Sequence, residues 1–185
     1  HVADAACGHS APESVAWLLM AIYPIRVFPD PVLRVAASPV ADFGPDLSRL
    51  ADDMFETMYE APGVGLAAPQ IGISKRIFVA DIGEGPFVMV NPEVVETSGK
   101  WKFEEGCLSV PGLWWEFSRP AFARARGFDL TGAPVEYAGD ELMGRLLQHE
   151  TDHLDGTLIL ERLPRRMRKD ALRDLRSGVP PGGTS

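Results

Sequence analysis

Histidine is scarce in this chain. Of four in 185 residues, His1 and His9 stand at the extreme start, which leaves His149 and His153 for everything after it. Cysteine is scarcer still, with only Cys7 and Cys107. Two thiols make no disulfide framework of the kind that staples small secreted domains, and a reducing cytoplasm is the expected location. No apolar run is long enough for a membrane-spanning helix, and no internal repeat suggests a solenoid. Basic residues are outnumbered 18 to 26, for a net charge of −8. The deficit is uneven, because residues 161–185 hold seven basic residues against three acidic ones. The acidic body is no general nucleic-acid binder, so neither DNA nor a membrane is an expected partner. At this length one domain with a sizeable core is expected.

Both remaining histidines fall in one short stretch, Gln148-His149-Glu150-Thr151-Asp152-His153. His-Glu-x-x-His on a helix sets two imidazoles one turn apart on one face, within reach of a single metal ion, with a carboxylate beside them to handle protons. Asp140 as N-cap and Gly156 as terminator place that helix at 140–155. Leu142, Leu146, His149 and His153 form one stripe, and Met143, Leu147, Glu150 and Leu154 the next. Apolar residues at this spacing turn to the core, so both histidines and Glu150 are expected to point inward. A carboxylate among leucines is poorly solvated as an anion, which raises its pKa towards the range useful for acid–base work. A helix of merely structural histidines would bury three costly polar groups for no shared purpose.

Two histidines do not complete a site, since a catalytic zinc-like ion takes three protein ligands and a water. Cys107, in Glu105-Gly106-Cys107-Leu108-Ser109, is the third donor the chain offers, beside a glycine that lets backbone approach a ligand. Another glycine-rich segment, Gly63-Val64-Gly65-Leu66-Ala67-Ala68-Pro69-Gln70, matches G-x-G-x-x-A on paper. A dinucleotide site needs a strand before it and a helix after it. Here a helical pattern precedes (Leu47, Leu50, Ala51, Met54, Phe55, Met58), and Pro69 falls where the next helix would run. The segment is therefore a loop that brings backbone close to a ligand.

With these three segments in hand, the chain resembles the peptide deformylases. That family's motifs G-x-G-L-A-A-x-Q, E-G-C-L-S and Q-H-E-x-D-H stand here at Gly63–Gln70, Glu105–Ser109 and Gln148–His153, in order, and the likeness covers about residues 20–176. The resemblance implies an α+β fold with antiparallel sheets around a central metal-binding helix. It implies metal-dependent hydrolysis of the N-terminal formyl group from formylmethionyl nascent polypeptides. Cys107, His149 and His153 would bind one divalent metal ion, with Fe2+ native and Zn2+, Ni2+ or Co2+ as substitutes. Glu150 would move the proton, and the Gln70 side chain and Leu108 N–H would hold the oxyanion. The backbones of Val64, Gly65 and Gly106 would pair with the substrate peptide. Arg119 would brace Glu105. Leu142, Arg145, Leu146 and His149 would line the methionine pocket, Arg145 with its stem on the pocket and its head in solvent.

Two other readings stay open at this level. A zinc endopeptidase would need a downstream ligand, for which Glu161 is the one glutamate available. A metal-stabilised binding module would need a closed four-ligand site. Along the chain, residues 1–19 form an extension of upstream or added sequence before a start at Met20, with a cleaved leader as the alternative. Residues 20–163 form the catalytic domain, 164–176 a basic helix opened by Pro164, and 177–185 a disordered tail. Further elements are expected as a helix at 46–60 and strands at 76–82, 87–91, 94–97, 122–129 and 134–137. The basic helix is either a solvated surface helix, with Asp170 and Asp174 as partners for its arginines, or a ribosome contact as the resemblance implies.

Overall fold

Helix α1 (Pro45–Glu60) begins with a proline at its first position, where the missing N–H costs no hydrogen bond. Its stripe Leu47, Leu50, Ala51, Met54 and Met58 is buried against Leu66, Ile77, Val79 and Val90. The structure, a computed structural model, describes residues 21–177. The extension at 1–19, the start at Met20 and the tail at 178–185 lie outside the described residues.

Seven strands follow: β1 (Gly65–Ala67), β2 (Ile77–Ala80), β3 (Phe87–Ser98), β4 (Trp101–Gly106), β5 (Trp114–Arg119), β6 (Phe122–Phe128) and β7 (Pro134–Gly139). Five form an antiparallel sheet in the order β1-β2-β3-β6-β7, while β4 and β5 pair only with each other. The two strands expected at 87–91 and 94–97 are one. Asn91 sits at φ +51° inside it, and its side-chain amide bonds both the N–H and the C=O of Val40, so the strand bends there without ending. Strands β1, β4 and β5 were not foreseen. The first is three residues long inside a segment read as loop, and the other two carry charges that blur alternation.

Helix α2 (Glu141–Leu154) carries the histidine motif and touches all five strands of the large sheet. Leu146, Leu147 and Leu154 pack on Phe78, Met89, Ala123 and Ala125. Gly144 lets the helix lie this close, because a Cβ there would fall 2.8 Å from the Gly139 carbonyl oxygen. Asp140 is the N-cap residue, but its side chain makes no capping bond. Gly156 follows the helix at φ +71°, as a terminator should. The antiparallel α+β architecture built around the motif helix is thus present.

A short helix α3 (Ile159–Arg162), too brief to leave a period in the sequence, leads into α4 (Arg165–Ser177). Pro164 stands just before α4 and its carbonyl accepts from Arg168 N–H, and Ser177, expected in the tail, closes the helix. Met167, Ala171, Leu172 and Leu175 pack on a cluster that includes Cys107, Val110, Phe117, Ile159 and Leu160. The other face of α4 exposes Arg165, Arg166, Lys169, Arg173 and Arg176. Asp170 and Asp174 both pair with Arg173.

Candidate metal centre and active site

His149 and His153 present their Nε2 atoms to each other at 3.2 Å. Cys107, the residue after β4, brings its Sγ to 3.2 Å from His153 Nε2. All three donor atoms lie within 4.8 Å of one another. Metal–nitrogen bonds of about 2.0–2.1 Å at the tetrahedral angle set two nitrogen ligands about 3.3 Å apart, so the imidazole spacing fits one shared ion. Sulfur with two imidazoles suits a divalent transition metal and leaves a fourth position for water. Among the described residues these three are the His, Cys, Asp or Glu donors that converge in this way. Glu161 does not join them. It pairs with Arg34 and Arg168 and accepts from Leu158 N–H, so it supplies no third ligand for an endopeptidase-type site.

Glu105 fixes the second nitrogen of His149. Its Oε1 lies 2.6 Å from His149 Nδ1, so that nitrogen carries the proton and Nε2 keeps its lone pair for the metal. Arg119 clasps both Glu105 oxygens at 2.8 Å and reaches Asp152 with its third nitrogen at 2.8 Å, as the expected brace and more. Burial alone would raise the Glu105 pKa, but His149 and Arg119 outweigh it and hold the carboxyl well below its usual range. Burial likewise pushes the Cys107 thiol up, and the two imidazoles reverse this to about 5. The ligand form, thiolate, is therefore the favoured one. For His149 burial works against the proton, while Cys107 and Glu105 more than restore it and raise the pKa well above normal.

Glu150 is buried at 4 % exposure, with one carboxylate oxygen that has no partner among the described residues. Its pKa is raised, chiefly by burial, with His149 and His153 pulling the other way. The carboxylate lies directly on Gly65, where a Cβ would come 2.8 Å from Glu150 Cδ. Gln70, in the turn of 3-10 helix Ala68–Ile71, is locked: Oε1 accepts from Ala67 N–H at 2.8 Å, and Nε2 lies 3.2 Å from Ser109 Oγ and 4.0 Å from Cys107 Sγ. Its amide N–H is thereby aimed at the cysteine side of the centre. Leu108 follows Cys107, its side chain against Gly63, and Gly106 lies under the Trp114 ring. Val64 is half exposed beside β1, an edge strand of the large sheet.

The four side chains expected to line the methionine pocket separate. Leu142 is 41 % exposed and His149 faces the centre, but Leu146 is packed in the core at 3 %. Arg145 overturns its expectation. Its head does not reach solvent; the residue is 3 % exposed, and its guanidinium is bonded to Glu105 and to two carbonyls of the β4–β5 hairpin. The reason is electrostatic, since a buried Glu105 draws the guanidinium inward. Sequence reasoning also missed Ser109, which receives Gln70, and Asp152, which binds Arg119 and Arg162. Ser109 was signalled by its place in the motif. For Asp152, partners 33 and 10 residues away left no local signal.

Known sequences decide the family. The model of the polypeptide deformylases matches residues 22–169. The chain belongs to the peptide deformylase family. It is 48 % identical over 165 residues to the peptide deformylase of Acidothermus cellulolyticus, covering 89 % of this chain and 92 % of that one. The enzyme from Agathobacter rectalis is 51 % identical over 146 residues, covering 78 % and 91 %. Among solved structures, the peptide deformylase of Thermus thermophilus superposes with a TM-score of 0.80 at 47 % identity, covering 84 % of this chain and 94 % of that one. Membership in this family makes the protein a metallohydrolase, and among the described residues Cys107, His149 and His153 form a group that fits a metal.

Proposed function

We infer that the protein removes the formyl group from polypeptides that begin with formylmethionine, releasing formate and a free amine. The observation that carries this is the contact of Glu150 with Gly65: a buried carboxyl, poised to take up a proton, lies on the edge strand beside three convergent metal donors. Cys107, His149 and His153 would hold a divalent ion. Such an ion supplies a Lewis acid for the formyl oxygen and makes hydroxide available near neutral pH. The protein does the rest. The backbone of Val64 and of Gly65 at the start of β1, together with that of Gly106, is proposed to pair with an extended peptide. Gln70 Nε2 and Leu108 N–H stabilise the oxyanion as charge develops on it. Glu150 accepts the proton of the attacking water and gives it to the departing nitrogen. Leu142, Leu146 and the His149 ring edge are the pocket residues proposed for methionine, with the Arg145 head turned to Glu105. A tight site accepts hydrogen beyond the carbonyl and excludes a methyl group by bulk.

The test is release of free amine from a formyl-Met peptide alongside acetyl-Met and internally cleavable peptides. Amine from the formyl substrate alone supports the reading, and cleavage of an internal bond overturns it. For the ion, ferrous iron is the proposal. Protein prepared without oxygen should then be much more active than protein purified in air, and equal activity with zinc as the metal found would overturn iron.

The setting is proposed to be the cytoplasm, at the ribosome. None of the described helices is long and apolar enough to cross a membrane. The exposed row Arg166, Lys169, Arg173 and Arg176 supports contact with RNA phosphates, which weakens steeply with salt. Because the apolar face of α4 covers the cluster around Cys107, removing α4 would disturb the site as well. Changing those four residues to Glu is the cleaner test. Co-sedimentation with ribosomes at low salt should be lost while a short formyl peptide is still hydrolysed, and retained sedimentation would overturn the contact.

A further inference from the structure

The metal donors come from two bodies. His149 and His153 ride on α2, which is packed into the large sheet, whereas Cys107 hangs from the β4–β5 hairpin, whose strands share no ladder with that sheet. Arg119 and Glu105 both belong to the hairpin, so their own pair does not join the two. Three contacts from α2 do: His149 with Glu105, Asp152 with Arg119, and Arg145, which alone of the three reaches both strands. From α2 its Nη1 donates to Glu105 Oε2 at 2.6 Å, and its Nη2 donates to Trp101 C=O at 2.9 Å and Phe117 C=O at 3.2 Å. One guanidinium thus holds β4 at its start, β5 near its middle and the carboxylate two residues before Cys107. Its carbon also sits 5.2 Å from the Trp101 ring and 5.3 Å from the Phe117 ring, close enough for cation–π attraction.

We propose that Arg145 is a positioning residue that fastens the Cys107 hairpin to the histidine helix and so keeps the three metal donors convergent. This rests on the metal-centre reading above. The planar fork is essential, because three acceptors on two strands must be met at once and an ammonium has no such fixed geometry. The Arg145 guanidinium bonds Glu105, Trp101 and Phe117 and none of Val64, Gly65 or Gly106, so the effect expected of it is on metal retention rather than on peptide binding.

The test compares the wild type with Arg145→Lys and Arg145→Met. Co2+ affinity is measured by competition with a chromophoric chelator, together with the near-ultraviolet thiolate-to-Co2+ absorption and circular dichroism. Loss of an outer contact of this kind lowers metal affinity about 10–100-fold. Arg145→Met should show that loss with a weakened thiolate band, and Arg145→Lys a smaller loss in the same direction. At saturating Co2+ the KM for a formyl-Met peptide should stay within about twofold of wild type. If Arg145→Met does not fold, Arg145→Lys decides. Wild-type Co2+ affinity and absorption in a folded variant would overturn the proposal, and so would a raised KM with unchanged affinity, which would return Arg145 to the methionine pocket. A wild type that binds Co2+ through its thiolate yet releases no amine would sink the proposed reaction and leave this result standing.

Discussion

The large sheet and the β4–β5 hairpin meet helix α2 by different means. Against the sheet, α2 presents Leu146, Leu147 and Leu154 to Phe78, Met89, Ala123 and Ala125, an interface of dispersion and hydrophobic burial. Against the hairpin it presents Arg145, His149 and Asp152, which bond Glu105 and Arg119. Apolar contact is tolerant of small shifts and carries stability. Buried charge is intolerant of them, because a displaced partner leaves an ion without solvation. The half of the site that must be placed within tenths of an ångström is therefore the half held by charge. Glu150 and Gly65 stand on the apolar side, Cys107 and Leu108 on the charged side, and the proposed reaction draws on both.

Four substitutions separate the two sides. The largest effect on turnover is expected from Glu150→Ala, which should lower kcat by about 10²–10⁴-fold, the range for a lost acid–base group. Metal content should be unchanged, and near-normal turnover of the metal-loaded variant would refute the assignment. Next comes Gly65→Ala. A methyl group there drives into the Glu150 carboxylate, and a displacement near 1 Å costs about 10²-fold. Steady-state kinetics at full metal loading is the check, and an unaffected rate would mean that the carboxylate is not held against β1 during turnover.

Glu105→Gln attacks the charged side. Metal affinity should fall about 10–100-fold as His149 loses its carboxylate partner, read by chelator competition. The same variant tests a pH dependence. Because the folded Glu105 carboxyl titrates below its ordinary 4.5, its contribution to stability is complete above that pH and fades as pH falls towards the folded value. Denaturant midpoints of wild type and Glu105→Gln should be well apart at neutral pH and approach each other on acidification below about 4.5. A constant gap would show that charge is not what holds the hairpin. Smallest for catalysis is Leu147→Ala, at a fully buried position of the sheet interface. Stability should drop by about 2–5 kcal/mol with turnover per bound metal unchanged below the melting range. A large loss of metal affinity here would blur the contrast between the two sides.

Local pattern reached far into this molecule. The period of α1, the stripe on α2 that turns His153 and Glu150 inward, and the terminator at Gly156 all follow from neighbours within two helical turns, where sequence and structure are the same problem. The motif spacing was enough to join His149 and His153, since a helix fixes the distance between residues four apart, whereas Cys107 entered through the scarcity of other donors and the family resemblance. Strands β4 and β5 escaped because their pairing is decided by what lies across the hairpin, and β3 was divided because Asn91 and Pro92 look like a terminus when Val40 is out of sight.

Composition and spacing by themselves determined the chemistry: a scarce set of soft and borderline donors, a carboxyl on an apolar face, and glycines where backbone must approach a ligand. Only the tertiary structure decided where the charges go. Arg145 reads as a residue with an apolar stem and a solvated head until Glu105, forty positions earlier in the chain, is brought beneath it. Asp152 reads as a surface helix residue until Arg119 and Arg162 close on it. The direction of a long charged side chain is set by whichever countercharge the fold buries nearby, and that distance is not written in sequence separation.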